Sequence, residues 1–296
     1  MIPWPLWWQS TRPKTLSASV CSVLLASALS YYHGAFRLGP SLICLAFAML
    51  CQILSNFAND YFDALKGADG PSRKGPQRLV ALGIIPLVSM LRAIKVVALL
   101  AFLIGTCILM YRPDFSLVIL GVFCIVFAIA YTGGPFPLAY LGLGDLFVLL
   151  FFGFVSVAGT FYVQAGFMGV DIILAGLAYG LLASNILAIT SYRDIETDRL
   201  VHKNTLGVRF GHGFVEKQYR CSMCIAFTVP LLLWAFWGYP SSILFSLAIA
   251  PLALRFLKVW SLQKKDICPQ WSLKHTVLIL LGYTALWIVG LIIGKP

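Results

Sequence analysis

Two groups of acidic residues in this chain could do chemistry together. The first runs Asn56-Phe57-Ala58-Asn59-Asp60-Tyr61-Phe62-Asp63, and the second is Asp194-Ile195-Glu196-Thr197-Asp198. On a helix, Asp60 and Asp63 fall within about 40° and 20° of Asn56, so three oxygen-bearing side chains share one narrow face. Asp194 and Asp198, four apart, likewise share a face. Paired carboxylates suit a hard divalent cation such as Mg²⁺, which takes oxygen ligands, keeps waters and completes its shell from phosphates. Two such faces could hold ions with a diphosphate between them. Helix capping or plain solvation is the simpler reading of either cluster taken alone.

Each cluster has basic residues beside it. Lys66, Arg73 and Arg78 follow the first, and Arg199, Lys203 and Arg209 follow the second. Arg and Lys bind phosphate oxygens and stabilise a departing diphosphate, although membrane topology alone also collects basic residues here. Arg73, Arg78 and Lys203 are the candidates for the diphosphate. Between the clusters, residues 131–145 form a Gly- and Pro-rich stretch without Lys or Arg, which predicts an irregular turn. Asp145 ends it, either as a reactive carboxylate or as a charge at a helix start. Tyr131 and Tyr140 could orient an aromatic substrate or stabilise a cation. Phe57, Tyr61 and Phe62, interleaved with the acids, could shield a carbocation, although packing against lipid or other helices is the simpler reading of most aromatics here.

The elements that position these residues are apolar spans. The chain has 296 residues, 60% of them hydrophobic and 11% charged, against about 25% charged in ordinary soluble domains. It is therefore an all-α integral membrane protein. Nine spans are predicted: 15–32, 40–58, 91–110, 115–132, 145–163, 170–190, 221–238, 241–257 and 275–293. The first follows Arg12 and Lys14 and reads as an uncleaved span rather than a signal peptide. With the N-terminus inside, every Lys and Arg except Arg37, Arg112 and Lys295 falls on the inner side. Both acidic clusters and the two longest loops, 64–90 and 191–220, then face the cytoplasm across the cell membrane. The same distribution accounts for the net charge of +11 without nucleic acid, and no protein partner is indicated. The eight cysteines are scattered, most of them inside apolar runs, and these read as small buried hydrophobes. The Asn56-x3-Asp60-x2-Asp63 and Thr190-x3-Asp194-x3-Asp198 patterns lie four spans apart, as in a single domain of two pseudo-repeats, about 10–140 and 141–293.

Taken together, the chain resembles the UbiA-type intramembrane prenyltransferases, in particular their menaquinone-pathway branch. The resemblance rests on Arg12-Pro13-Lys14-Thr15-Leu16, the run Gln52 to Asp63, Lys66-Gly67-Ala68-Asp69, and Arg73 with Gly75, Pro76 and Arg78. It continues through Gly142-Leu143-Gly144-Asp145, Arg193-Asp194 with Asp198, and Lys203-Asn204-Thr205-Leu206. Order and spacing hold from about residue 10 to 210. The family implies nine helices around a central cavity open towards lipid, with Mg²⁺ at Asp60, Asp63, Asp194 and Asp198 and with Asn56 completing the shell. It implies a polyprenyl diphosphate donor and 1,4-dihydroxy-2-naphthoate as acceptor, with Asn59, Lys66, Arg73, Arg78, Lys203, Arg12, Lys14 and Tyr131 around the substrates and Asp145 at the acceptor hydroxyl. Thr190 and Ser191 stand where the family usually carries Asn. The stretch 131–145 lacks the Lys that benzoate-prenylating relatives carry after a Tyr. The same chemistry on 4-hydroxybenzoate or homogentisate is one alternative. A cation transporter with paired carboxylates is another, although its charges would sit near the bilayer midplane.

Overall fold

The computed structural model describes residues 2–69, 78–263 and 269–295. Its regular structure there is entirely helical: α1 (Trp4–Ser10), α2 (Pro13–Tyr32), α3 (Leu38–Leu65), α4 (Leu87–Thr106), α5 (Phe115–Ala130), α6 (Gly144–Val148), α7 (Thr160–Ala165), α8 (Val170–Leu200), α9 (Leu206–Phe236), α10 (Ala250–Gln263) and α11 (Pro269–Ile293). Eight continuous helical segments among the described residues are long and apolar enough to cross a bilayer. The shorter apolar helix α5 occupies the place of the remaining expected span.

Helix lengths differ from the expected spans at the acidic ends, and the difference decides where the acids stand. Helix α3 runs past residue 58 to Leu65, and α8 runs past residue 190 to Leu200. Both carboxylate pairs are therefore mounted on rigid helix ends rather than on loops. The long loop expected at 191–220 shrinks to Val201–Thr205. Thr205 caps α9 by accepting the Val208 N–H at 3.3 Å. Gly211, with φ 78° and ψ 177°, then breaks α9 into two segments. No L side chain adopts that conformation readily, which is the local reason for glycine.

The core is built around α8, α9 and α11. Tyr179, Tyr219, Tyr283, Trp260, Trp287 and Phe256 are fully buried there. Buried phenols need partners. Tyr179 donates to the Ala18 carbonyl of α2, Tyr283 to the Ala226 carbonyl at 2.6 Å, and Tyr219 pairs with Thr276 at 3.0 Å. At the end of the bundle away from the acids, Tyr239 donates to Asp171 at 2.7 Å and bonds His33 at 2.9 Å, joining α2, α8 and the α9–α10 connection.

Between α6 and α7 the span is π-helical over Leu149–Gly159, a rare geometry. Gly153 of this segment meets the backbone of Gly176 and Gly180 on α8 so closely that a Cβ on any of the three would strike main chain. Phe151, Phe152, Val155 and Ser156 of the same segment line the central cavity. The wide π turn thus presses its glycine against α8 and gives its large side chains to the interior. Helices α4 and α5 lie on the far side and expose Val96, Leu99, Leu103, Ile119, Phe123 and Val126, as expected of helices that meet lipid.

Candidate active site

A cavity of about 700 Å³ runs through the bundle. Its polar end carries Arg12, Lys14, Asn56, Asn59, Asp60, Asp63, Arg78, Tyr131, Asp145, Asp194, Asp198 and Lys203. Its walls beyond are apolar, with Phe47, Phe102, Phe127, Phe147, Phe151 and Phe152. The two acidic clusters, more than a hundred residues apart in sequence, therefore face one space. Arg73 lies outside the described residues.

Asp60, Asp63 and Asp194 are engaged by cations. Asp60 is almost fully buried and accepts from the Arg12 guanidinium, with Arg78 Nη1 3.2 Å from the same oxygen. Asp63 accepts from the Tyr140 hydroxyl at 2.8 Å and has Lys203 Nζ at 3.9 Å. Asp194 takes two parallel bonds from Arg193, at 2.6 and 2.5 Å, the bidentate geometry that makes such pairs strong. Arg12 reaches Asp60 from a left-handed backbone, φ 54° and ψ 68°, just before Pro13 opens α2. That conformation costs a non-glycine residue about 1–3 kcal/mol, so the surroundings must hold it.

Asn56 contributes to holding it. Its amide donates to the Thr11 carbonyl at 2.8 Å and to Thr15 Oγ1 at 3.1 Å, and its Oδ1 accepts from Gln52 at 3.3 Å. Its nitrogen is therefore committed to the two residues that bracket Arg12, while Oδ1, the atom that would complete a metal shell, meets Gln52. Asn59 ties α3 to the stretch after α5 by accepting from Thr132 Oγ1 at 2.8 Å. Lys66 does not line the cavity. Its Nζ donates to the Thr132 carbonyl at 2.7 Å and sits 4.0 Å above the Tyr140 ring. Loss of water around Nζ lowers the pKa of Lys66, with Asp63 opposing and Lys203 adding to the shift. Burial, and then the charge of Asp145, raises the Tyr131 phenol, so it faces the cavity as a neutral donor.

Other expectations are redistributed. Phe57, Tyr61 and Phe62 do not line the cavity. Phe57 packs against Trp7 at 5.8 Å, and Phe62 covers Gly133. The aromatic walls come instead from elsewhere on α3, from α4, α5 and α6, and from the π-helical span. Tyr140 serves the ammonium groups of Lys66 and Lys203, at 4.0 and 5.3 Å, and orients Asp63. Arg209 bonds the Leu141 and Asn204 carbonyls at 2.9 and 3.1 Å, joining the two irregular loops. Gly142 sits in that join with φ 71°, and a Cβ there would stand 2.8 Å from the Asn204 carbonyl. Thr190 returns its hydroxyl to the Leu187 carbonyl at 2.8 Å, and Ser191 accepts the Gly207 N–H at 3.3 Å, docking the start of α9. Gln218 of α9 carried no motif signal, yet it donates to Asp145 Oδ1 at 2.8 Å.

Among the described residues, no group of three or more His, Cys, Asp or Glu stands close enough to hold a metal alone. The donor set still fits a hard cation. It offers carboxylate oxygens two by two from facing helices, with guanidinium and ammonium groups between, and Mg²⁺ commonly takes only one or two carboxylates and fills its shell from phosphates and water.

Comparison with known proteins agrees with this architecture. Residues 19–278 match the model of the UbiA prenyltransferase family. The 1,4-dihydroxy-2-naphthoate octaprenyltransferase of Escherichia coli K12 is 37% identical over 98% of this chain and 96% of its own. Its namesake from Mycobacterium tuberculosis is 34% identical, with 84% of each chain covered. Among solved structures, a UbiA homologue from Aeropyrum pernix K1 superposes with a TM-score of 0.71 at 15% identity, covering 93% of this chain and 98% of that one. A UbiA homologue from Archaeoglobus fulgidus bound to DMAPP and Mg²⁺ gives 0.63 at 15% identity, over 97% and 99%. At that identity the likeness concerns the fold.

Proposed function

The chain belongs to the UbiA prenyltransferase family, and we propose that it transfers a polyprenyl group from polyprenyl diphosphate to 1,4-dihydroxy-2-naphthoate. The acceptor loses its carboxylate as CO₂ and the product is a demethylmenaquinol. The observation that carries this reading is the convergence of two carboxylate pairs and several Arg and Lys side chains on the polar end of a cavity whose remaining walls are apolar and aromatic. The acceptor and the long prenyl donor are supported by relatives at 34–37% identity that are named for that substrate and that octaprenyl group.

In this reading Asp60 and Asp63 on α3, with Asp194 and Asp198 on α8, hold Mg²⁺, which when bound supplies Lewis-acid neutralisation of the diphosphate. Arg12, Arg78 and Lys203 exchange their carboxylate partners for phosphate oxygens and so stabilise the leaving group. Arg73, outside the described residues, is assigned to the same task by its place in the motif, with Lys14 at the same polar end and Lys66 steadying Tyr140, the partner of Asp63. Asn56 acts by fixing the turn that aims Arg12, and Asn59 by fixing the stretch that carries Tyr131. The prenyl chain lies along the apolar wall, where exclusion of water protects an allylic cation from hydrolysis. The naphthoate ring attacks that carbon, with Asp145 and Tyr131 facing its hydroxyl. The distribution of Lys and Arg puts the polar end at the cytoplasmic side of the cell membrane. The matched clusters on α3 and α8 belong to two pseudo-repeats of one domain.

The test is transfer of a labelled polyprenyl group in isolated membranes, with 1,4-dihydroxy-2-naphthoate, 4-hydroxybenzoate and homogentisate offered separately. Asp60→Asn and Asp194→Asn should each abolish Mg²⁺-dependent transfer to the naphthoate. Full activity in both variants, or equal use of all three acceptors, would rule the reading out.

A further inference from the structure

We infer that Gln218 is the positioning residue for Asp145, fixing its carboxylate on the cavity wall so that it takes a proton from the acceptor hydroxyl and later returns it. This rests on the transferase reading above and extends it to α9, where the sequence motifs end. Asp145 begins α6 and lines the cavity. Gln218 does not line the cavity. It reaches Asp145 from behind, with Nε2 2.8 Å from Oδ1. The other end of the amide, Oε1, is buried and has no hydrogen-bond partner among the described residues. The contact with Asp145 is therefore what orients the amide. A neutral N–H donor steadies the ionised, proton-accepting form of a carboxylate in a poorly hydrated wall without neutralising it. A lysine or arginine in that place would pair with it and remove its basicity.

The groups around Asp145 suit this task. The Tyr131 phenol faces the same space from the end of α5, and its hydroxyl would lie 3.0 Å from a Cβ on Gly144. On α8, Arg193 and Asp194 are paired with each other. On α9, Glu216 accepts from Tyr192 at 3.2 Å and is occupied there. The side-chain partner of Asp145 is thus a neutral amide donor, so it can serve as a base.

The chemistry balances with one reversible proton. The C–O bond to diphosphate breaks and its electron pair leaves with the diphosphate. The ring carbon bearing the carboxylate bonds to the allylic carbon while the neighbouring hydroxyl gives its proton to Asp145. This yields a β-keto carboxylate. Its C–C bond to the carboxylate breaks, CO₂ departs, and the electron pair passes to the ketone oxygen as an enolate. Asp145 returns the proton to that oxygen. No oxidant and no net proton is needed, so a single carboxylate serves both halves if its position is held throughout.

The test compares Gln218→Leu, Gln218→Glu and Asp145→Asn in purified full-length enzyme, measuring kcat, KM for each substrate and the pH dependence of kcat. Asp145→Asn should lose about a hundredfold or more in kcat, as for a general base. Gln218→Leu should lose about tenfold and move the acid limb of kcat to higher pH, with KM for polyprenyl diphosphate unchanged. Gln218→Glu keeps the side-chain size, and its second carboxylate should move that limb further. Unchanged kcat and pH profiles in both Gln218 variants, beside an inactive Asp145→Asn, would overturn the positioning role alone. An active Asp145→Asn would overturn the base itself.

Discussion

Replacing Arg12 by glutamine should tighten the binding of the metal on its own while weakening the enzyme. The reason is competition at Asp60. One oxygen of this buried carboxylate accepts from Arg12, with Arg78 3.2 Å away. In the proposed reading Mg²⁺ displaces those partners to reach the oxygen, whereas a diphosphate draws the guanidinium groups towards its own oxygens. A hydrogen bond to a charged group is worth about 1.5–3 kcal/mol. Removing one such competitor should therefore raise metal affinity, in the absence of diphosphate, by about 10- to 100-fold. The same substitution removes a cation from the leaving group, so KM for polyprenyl diphosphate should rise and kcat should fall. It follows that metal and diphosphate bind the native enzyme with positive coupling, each easing the other's entry. Calorimetric titration of the full chain with Mg²⁺, with and without pyrophosphate, reads both affinities. Metal binding that is unchanged or weaker in Arg12→Gln without pyrophosphate would refute the competition argument.

Three further outcomes are expected. Phe47 lines the cavity and packs against Gly105 and Gly121, with ring carbons 3.0 and 3.7 Å from where their Cβ atoms would stand. It is about 20 Å along α3 from Asp60, so Phe47→Ala should raise kcat/KM for long donors relative to geranyl diphosphate, and an unchanged ratio in a donor series would count against a channel along this wall. Gly153→Ala would drive a methyl group into the Gly176 backbone, and since overpacking costs about 1–3 kcal/mol, thermal unfolding in detergent should occur at a lower temperature. Lys66 has a lowered pKa in the folded chain. Folding then disfavours its charge below that lowered value, and stability recovers as pH rises from there towards the ordinary lysine value of 10.5. Lys66→Gln should flatten that rise in unfolding midpoint against pH, and an identical slope would dismiss it.

Much of the site was legible because its chemistry is written in residue type and short spacing. Asp60 and Asp63 had to share a helix face, as did Asp194 and Asp198, whatever the fold around them. The span pattern and the Lys and Arg distribution followed from hydropathy and from the rule that charge stays out of lipid. What Asn56 does with its amide nitrogen was not legible, because Asn next to two acids carries only the signal of an oxygen ligand. Only the folded chain shows that Thr11 and Thr15 claim its amide. The aromatic wall was not legible for a similar reason. Phe57 and Phe62 neighbour the acids in sequence, but neighbouring positions point to different sides of a helix, and the cavity draws its rings from five other stretches.

The sequence by itself determined the class of protein, the order of its apolar spans and the two carboxylate pairs with their basic neighbours. These depend on local quantities: transfer of side chains into lipid, and the period of a helix. The tertiary structure alone decided which cation sits on which carboxylate, that Tyr140 orients Asp63, and that Gln218 stands behind Asp145. It also decided that a π-helical turn opens the cavity wall while Gly153 closes on Gly176 and Gly180. Those features join residues tens to hundreds of positions apart. They arise from how helices pack, and no spacing within one helix encodes the distance to a side chain on another.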